Sequence, residues 1–337
     1  MKLPPTLVRR VLFTPTLFSI TLVLTCVLVP ALLVATLGSL LMHGRHRALR
    51  LLRFALCWTR LELAAVARLT LIWLRSGLGG RVRRERFWDS TYSVIRVYAA
   101  GLYAAAERYL NLQITVAADP LPPEAGRRPV IVLSRHAGPG DSLLLVHQLL
   151  TVYGRRPRVV MKAFLQLDPF IDIAAHRVPN LFLQAPGEGM TDEIARLATG
   201  LSPADALLIF PEGGNYTPRR RRRAIRRLLR LRHRREAVRA AHMHAVMPPR
   251  PGGTLAAIDA APDADVVFVA HTGLDHIRTV ADAWRNLPLT TVAQARWWRV
   301  PREQIPVGRQ AQTDWLYSQW EKINAWIEET REAPVTR

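Results

Sequence analysis

Apolar positions follow two regimes along this chain. From Val11 to Met42 no residue carries a charge, whereas beyond residue 128 short apolar runs alternate with stretches of helical period. As one straight helix the first regime would reach about 48 Å at ~1.5 Å per residue, longer than a ~30 Å hydrocarbon core. Pro30 predicts a break into two shorter arms. Lys2, Arg9 and Arg10 precede the run, and Arg45, Arg47, Arg50 and Arg53 follow it. Positive charge on both flanks favours a hairpin or re-entrant pair with both ends cytoplasmic, with a tilted single span as the alternative. The run is far longer than the ~7–15 residues of a signal-peptide core.

Between Ala48 and Arg75 the arginines at 50, 53, 60, 68 and 75 gather within an arc of about 80° on a helix, and Glu62 lies off that arc. This predicts either a helix at the bilayer surface with arginines reaching headgroups, or a core helix with one solvated face. Residues 87–112 read as a linking helix, and Asp119-Pro-Leu-Pro-Pro-Glu124 as a proline-rich linker. The expected organisation is a membrane-anchoring helical segment over 1–80, a linking helix and linker over 81–120, and one domain over 121–337.

Within that domain, strand-like runs at 130–133, 158–161, 181–184, 206–210 and 265–270 alternate with helical patterns. The alternation predicts an α/β fold, with a mixed, largely parallel sheet flanked by helices. Leu316, Trp320, Ile323 and Ile327 mark one face of a core-packing helix near the C-terminus.

Charge changes the picture only locally. The net charge is +21, of which residues 1–60 and the segment Arg219–Arg239 together supply +19. Charge so confined fits an anionic membrane surface or phosphate ligands, and no nucleic acid partner is expected. The two cysteines, Cys26 and Cys57, lie in the apolar N-terminal part. They exclude a cysteine-rich zinc site or a disulfide framework and leave no thiol nucleophile near the motifs below.

His136-Ala-Gly-Pro-Gly-Asp141 follows the run Val130–Leu133, and Phe210-Pro-Glu-Gly-Gly214 follows the run 206–210. An imidazole held by a carboxylate is a base at neutral pH, and the glycines and proline between them can fold the loop back. The plain alternative is that Asp141 caps its helix and His136 is a polar loop residue. His136, Asp141 and His147 lack the spacing of a metal site, so no metal is expected. Glycines at 213 and 214 let backbone N–H groups approach an anion, and Glu212 can bond a hydroxyl or orient a base. Lys162 ends the third run. Arg219, Arg220 and Arg221 open a basic segment suited to phosphate oxygens.

In this order and separation the two motifs resemble those of the glycerol-phosphate and lysophospholipid acyltransferases, particularly the 1-acylglycerol-3-phosphate acyltransferases. The resemblance spans roughly residues 130–306 and implies that His136 is the general base, that Asp141 orients it, and that residues 210–214 help form the acceptor site. Through the proline-bearing stretch 244–253 it adds Arg250 to the acceptor site; Lys162, by its place after the run 158–161, is expected either to face the acceptor as well or to be a plain surface lysine. Gln184 stands where members often place a phosphate-binding arginine, and Gly214-Asn215-Tyr216 replaces the usual threonine and arginine or serine. The expected activity is transfer of a fatty acyl group from an acyl-CoA or acyl carrier protein thioester to a lysophospholipid hydroxyl, without a cofactor. It would take place on a membrane, with the catalytic domain facing the cytoplasm. A glycolipid acceptor, or a non-catalytic membrane tether, is the alternative.

Overall fold

A computed structural model of the chain describes residues 4–41, 46–81, 84–118, 128–138, 140–183, 189–277 and 279–332. The proline-rich linker, Pro139 and Gln184 lie outside them. The helices are α1 (Thr6–Val8), α2 (Thr14–Leu41), α3 (Arg47–Arg75), α4 (Trp88–Ala105), α5 (Asp141–Thr151) and α6 (Pro169–Ala175). They continue with α7 (Met190–Ala198), α8 (Pro218–Arg230), α9 (Arg234–His242), α10 (Pro251–Ala260), α11 (Val280–Asn286) and α12 (Arg309–Glu332). The strands are β1 (Ile114–Ala118), β2 (Val130–Ser134), β3 (Arg156–Lys162), β4 (Leu181–Leu183), β5 (Asp205–Ile209), β6 (Asp265–Thr272) and β7 (Ala293–Val300).

One seven-stranded sheet runs in the order β1-β7-β6-β2-β5-β3-β4. Every pairing is parallel except β6 with β7, so the sheet is mixed and largely parallel, as expected. β2 and β5 are buried at every residue, which explains their unbroken apolar runs: a parallel strand covered on both faces has no polar side. Leu316, Trp320, Ile323 and Ile327 of α12 are fully buried in the main core with Phe268 and Trp298.

The organisation departs from expectation in three places. The sheet takes in β1, which pairs with β7, so the α/β domain begins ahead of residue 121. Its short pattern, Ile-Thr-Val-Ala-Ala, gives too little alternation to read, and β7 likewise escaped the pattern of apolar runs. Residues 87–112 are no simple linker, because α4 buries Tyr92, Val94, Tyr98 and Leu102 and joins α3 and α6 in an apolar cluster. Finally, α2 runs unbroken through Pro30; one missing N–H removes a single helical bond, which is tolerable in an apolar helix. The hairpin forms one element later, between α2 and α3.

That hairpin is fastened to the domain at both ends. Just ahead of α2, Arg9 donates to Gln166 Oε1 at 2.7 Å and to Asp172 Oδ1 at 3.0 Å. At the opposite end, Arg47 donates to Leu287 O at 3.1 Å and Arg50 to Tyr109 O at 3.3 Å. Phe18 and Thr21 face Trp58, Glu62 and Val66, while Leu32 faces Arg53, Cys57 and Arg60, so the two helices run antiparallel. Phe18–Gly38 is long and apolar enough to cross a membrane, with mean hydropathy 2.6 and none of that stretch buried.

Candidate active site

Side-by-side pairing of β2 with β5 (Leu133 opposite Ile209) and with β6 (Ser134 opposite Val269) assembles the site. Loops leaving the carboxyl ends of adjacent parallel strands share one edge of the sheet, where α/β folds present ligands. His136 leaves β2, Phe210–Gly214 leaves β5, Lys162 ends β3 and His271 lies near the end of β6. Backbone bonds tie these loops together: Tyr216 N donates to His136 O at 2.8 Å, and Arg250 N to Pro211 O at 2.9 Å.

His136 Nδ1 lies 3.0 Å from Asp141 Oδ2. The same oxygen accepts from Ala137 N and Gly138 N, each at 2.7 Å. Asp141 therefore bonds backwards into the loop, and Gly140 is the capping residue of α5 with no side-chain cap. The helix-capping reading of Asp141 fails on this geometry. Burial opposes ionisation of Asp141, but His271, His136 and the Gly138 N–H outweigh it and hold the carboxyl below its ordinary range. An ionised Asp141 must accept, so the hydrogen sits on Nδ1 and Nε2 of His136 is left with a free lone pair. The imidazole packs on Phe210, with ring centroids 4.5 Å apart, and is only slightly exposed.

Beneath the loop lies a charge that the sequence motifs do not announce. Arg135 is fully buried. It donates to His271 O at 2.6 Å and Ala245 O at 3.0 Å, and it pairs with Asp275. Burial disfavours the Asp275 anion, yet Arg135 and Arg331 hold its carboxyl well below the usual range. Glu212 is also fully buried, and it contributes to the wall of the cavity described below. Burial pushes its carboxyl up to about 8, moderated by Arg135 and by nearby N–H groups of Met247, Trp320 and His136. Both carboxyl oxygens fall outside hydrogen-bond geometry.

A cavity of about 810 Å³ opens beside the Glu212–Gly214 loop. Gly213 adopts φ +69°, and a Cβ there would meet the Arg250 guanidinium carbon at 2.8 Å. A Cβ on Gly214 would come within 3.4 Å of Lys162 Nζ and 3.5 Å of Arg220 Nη1. Three cations thus converge on two adjacent glycines. Burial, with Arg220 and Arg250 beside it, lowers the Lys162 ammonium, and burial with Arg227 lowers Arg250. Among the described residues no carboxylate pairs with Lys162, Arg220 or Arg250. Such crowding of like charge is relieved by an anion.

The arginine run divides by helical phase. Thr217 caps α8 by accepting from Arg220 N, and Pro218 opens it, which fixes the register. Arg220, Arg223 and Arg227 then share the face that lines the cavity. Of the three arginines expected to serve phosphate or donor, Arg220 lies on that face, and Arg219 and Arg221 do not line the cavity. Arg219 is exposed and not part of the cavity wall. Arg221 is spent on carbonyls at the end of α9, donating to Met243 O at 2.6 Å and Ala241 O at 2.7 Å. His147 stacks on Tyr103 at 4.4 Å, and no group of metal-binding side chains occurs among the described residues.

The arrangement is therefore that of an enzyme which sets a histidine–aspartate pair beside a cationic, glycine-floored cavity. Residues 113–274 match the family model described as acyltransferase. In fold, the chain is similar to the crystal structure of the 1-acyl-sn-glycerophosphate acyltransferase PlsC from Thermotoga maritima. The two align with a TM-score of 0.51 and 15% identity over 85% of this chain and 100% of that one. No curated relative matches the chain in sequence.

The neutral Glu212 has a consequence for stability. The folded protein holds a proton that the unfolded chain releases near the ordinary value of 4.5, so between that pH and about 8 the folded state binds more protons. Stability should therefore fall as pH rises through that window, and Glu212→Gln should flatten the slope while preserving the loop. Denaturant midpoints near pH 6 and near pH 8.5 measure this; an unchanged slope in the variant would contradict a neutral Glu212.

Proposed function

We propose that this enzyme moves a fatty acyl group from a thioester to the free hydroxyl of a lysophospholipid bearing a terminal phosphate, most simply 1-acylglycerol-3-phosphate. The observation that carries this reading is the convergence of Lys162, Arg220 and Arg250 on Gly213 and Gly214, next to the His136 loop. Three unpaired cations suit the two negative charges of a phosphate monoester, and guanidinium groups pair with its oxygens bidentately. Arg220 and Arg250 would then take the part of the arginine that Gln184 and Asn215 cannot play.

His136 Nε2 takes the proton as the acceptor oxygen attacks the thioester carbonyl. The tetrahedral intermediate collapses, the carbon–sulfur bond breaks, and the imidazolium returns the proton to the departing thiolate. Asp141 keeps the ring in the right tautomer and offsets the charge that forms on it. Direct transfer is favoured over an acyl-enzyme. Ser134 is fully buried and bonded to Arg135 O, and Cys26 and Cys57 sit on α2 and α3. The thiolate leaves without metal assistance. Arg223 and Arg227 extend the cationic face and would serve the phosphates of acyl-CoA or an acidic acyl carrier protein.

The enzyme would work on a membrane surface with α2 lying in the plane of one leaflet. Side chains such as Val23, Val27, Leu33, Val34 and Leu37 are exposed along α2, an apolar face far larger than a soluble surface usually shows. A crossing α2, about 42 Å long, would separate two ends that are both fastened to the same domain. It would also draw Arg53, Arg60 and Arg68 of the adjoining α3 through hydrocarbon, at roughly 2.5–3.5 kcal/mol each at the centre. An in-plane α2 keeps those arginines at headgroup level and both termini on the cytoplasmic side.

Two measurements test these readings. Steady-state kinetics of Lys162→Gln and Arg250→Gln should show KM for lysophosphatidate raised at least about tenfold, as loss of a charge-assisted contact implies. KM for monoacylglycerol, which lacks the phosphate, should change little; equal losses on both acceptors would remove the phosphate assignment. In sealed inverted vesicles, protease should reach tags at both termini, and protection of either tag would contradict the in-plane placement.

A further inference from the structure

A second cavity, of about 700 Å³, shares no residue with the cavity beside Gly213. It sits where α2 and α3 meet the turn that follows α4. Its cations are Arg53, Arg60 and Arg108, and its walls include Leu32, Leu56 and Leu61. Arg53 and Arg60 are seven residues apart and so share one face of α3, about 10.5 Å apart along its axis. Arg108 leans over the ring of Tyr109 at 5.6 Å.

Arg53, Arg60 and Arg108 stand exposed along the rim of this cavity. Among the described residues no carboxylate pairs with Arg53, Arg60 or Arg108. Glu62, the acid of α3, points elsewhere: it accepts from Tyr98 at 3.0 Å and adjoins Asp168, in a separate pocket bounded by Phe18 and Val66. Burial and Asp168 push its carboxyl up to about 7. The aliphatic walls exclude a purely polar occupant, and the cationic rim excludes a bare acyl chain. A phosphate ester joined to hydrocarbon satisfies both.

We propose that this cavity is a binding site for an intact anionic phospholipid, distinct from substrate, whose phosphate lies among Arg53, Arg60 and Arg108 and whose chains follow α2. The site rests on the in-plane reading of α2, because that places the cavity at headgroup level. Basic pockets between membrane helices bind anionic headgroups for the same reason. Such a lipid would pin the α2–α3 hairpin against α4 and set the depth at which the catalytic cavity meets the leaflet.

The test needs no turnover, so it stands or fails apart from the acyltransferase assignment. Full-length protein is purified in mild detergent, and bound phospholipid is quantified by mass spectrometry. Thermal unfolding is then followed with dihexanoyl phosphatidylglycerol, dihexanoyl phosphatidylcholine or inorganic phosphate added. Wild type should retain about one anionic phospholipid and gain stability from the phosphatidylglycerol far more than from the other two. The triple variant Arg53→Gln/Arg60→Gln/Arg108→Gln should bind phosphatidylglycerol roughly a hundredfold more weakly, from three cations near an anionic lipid.

Two further variants separate a site from general surface charge. Arg68→Gln/Arg75→Gln removes two arginines of the same arc outside the cavity and should weaken binding less than about threefold. Ala64→Trp keeps every cation but fills the cavity, and should lose the retained lipid. Loss proportional to charge removed wherever it lies, lipid retained by Ala64→Trp, or equal stabilisation by inorganic phosphate would each overturn the proposal.

Discussion

A single buried cation constrains the catalytic edge of the sheet. Arg135 follows directly on β2 with no exposure, and an uncompensated charge there would be strongly destabilising. Its partners are therefore obligatory: the carbonyls of His271 and Ala245, and the carboxylate of Asp275. Those partners belong to the end of β6, the segment before α10 and the loop after β6. Asp275 is held in turn by Thr272 and by Arg331 of α12. The residue that anchors this network stands immediately before His136, so the imidazole begins from a backbone that cannot drift. Glu212 shares the same buried interior, and with Gly213 and Gly214 it lines the cavity.

The two catalytic candidates were legible in the sequence because their contact is local. Asp141 lies five residues from His136, and the loop between them is small enough for one carboxylate oxygen to bond His136, Ala137 and Gly138 together. The buried parallel strands were legible for an equally local reason, since two covered faces demand an unbroken apolar run. Lys162 was placed by its position after a strand-like run and Arg250 by resemblance, and only the fold brings them to the same glycines.

What escaped was set by long-range pairing or by helical phase. Arg135, His271 and Asp275 meet only because β6 lies beside β2. An arginine at the exit of a fully apolar strand was the available signal for the first of them. The five arginines from 219 to 223 read as a block, yet a helix spreads consecutive residues around its axis. Thr217 and Pro218 already mark where that helix starts, so the face holding Arg220, Arg223 and Arg227 follows from period alone. Arg221 was lost to carbonyls of a helix that no local pattern brings near. Pro30 misled in the opposite direction, because an exposed apolar helix tolerates one missing bond.

The central claim is that His136 supplies the proton acceptor for transfer onto a phosphate-bearing lipid, and a single-turnover experiment addresses it directly. Enzyme in excess is mixed with labelled acyl-CoA and lysophosphatidate, and phosphatidate is identified by mass, for wild type and for His136→Ala. The account predicts phosphatidate from wild type at a rate about 10²–10⁴ times that of the variant, the usual worth of a positioned base, with both proteins equally folded. Near-equal rates, or an acyl group recovered on the protein before any product forms, would contradict it.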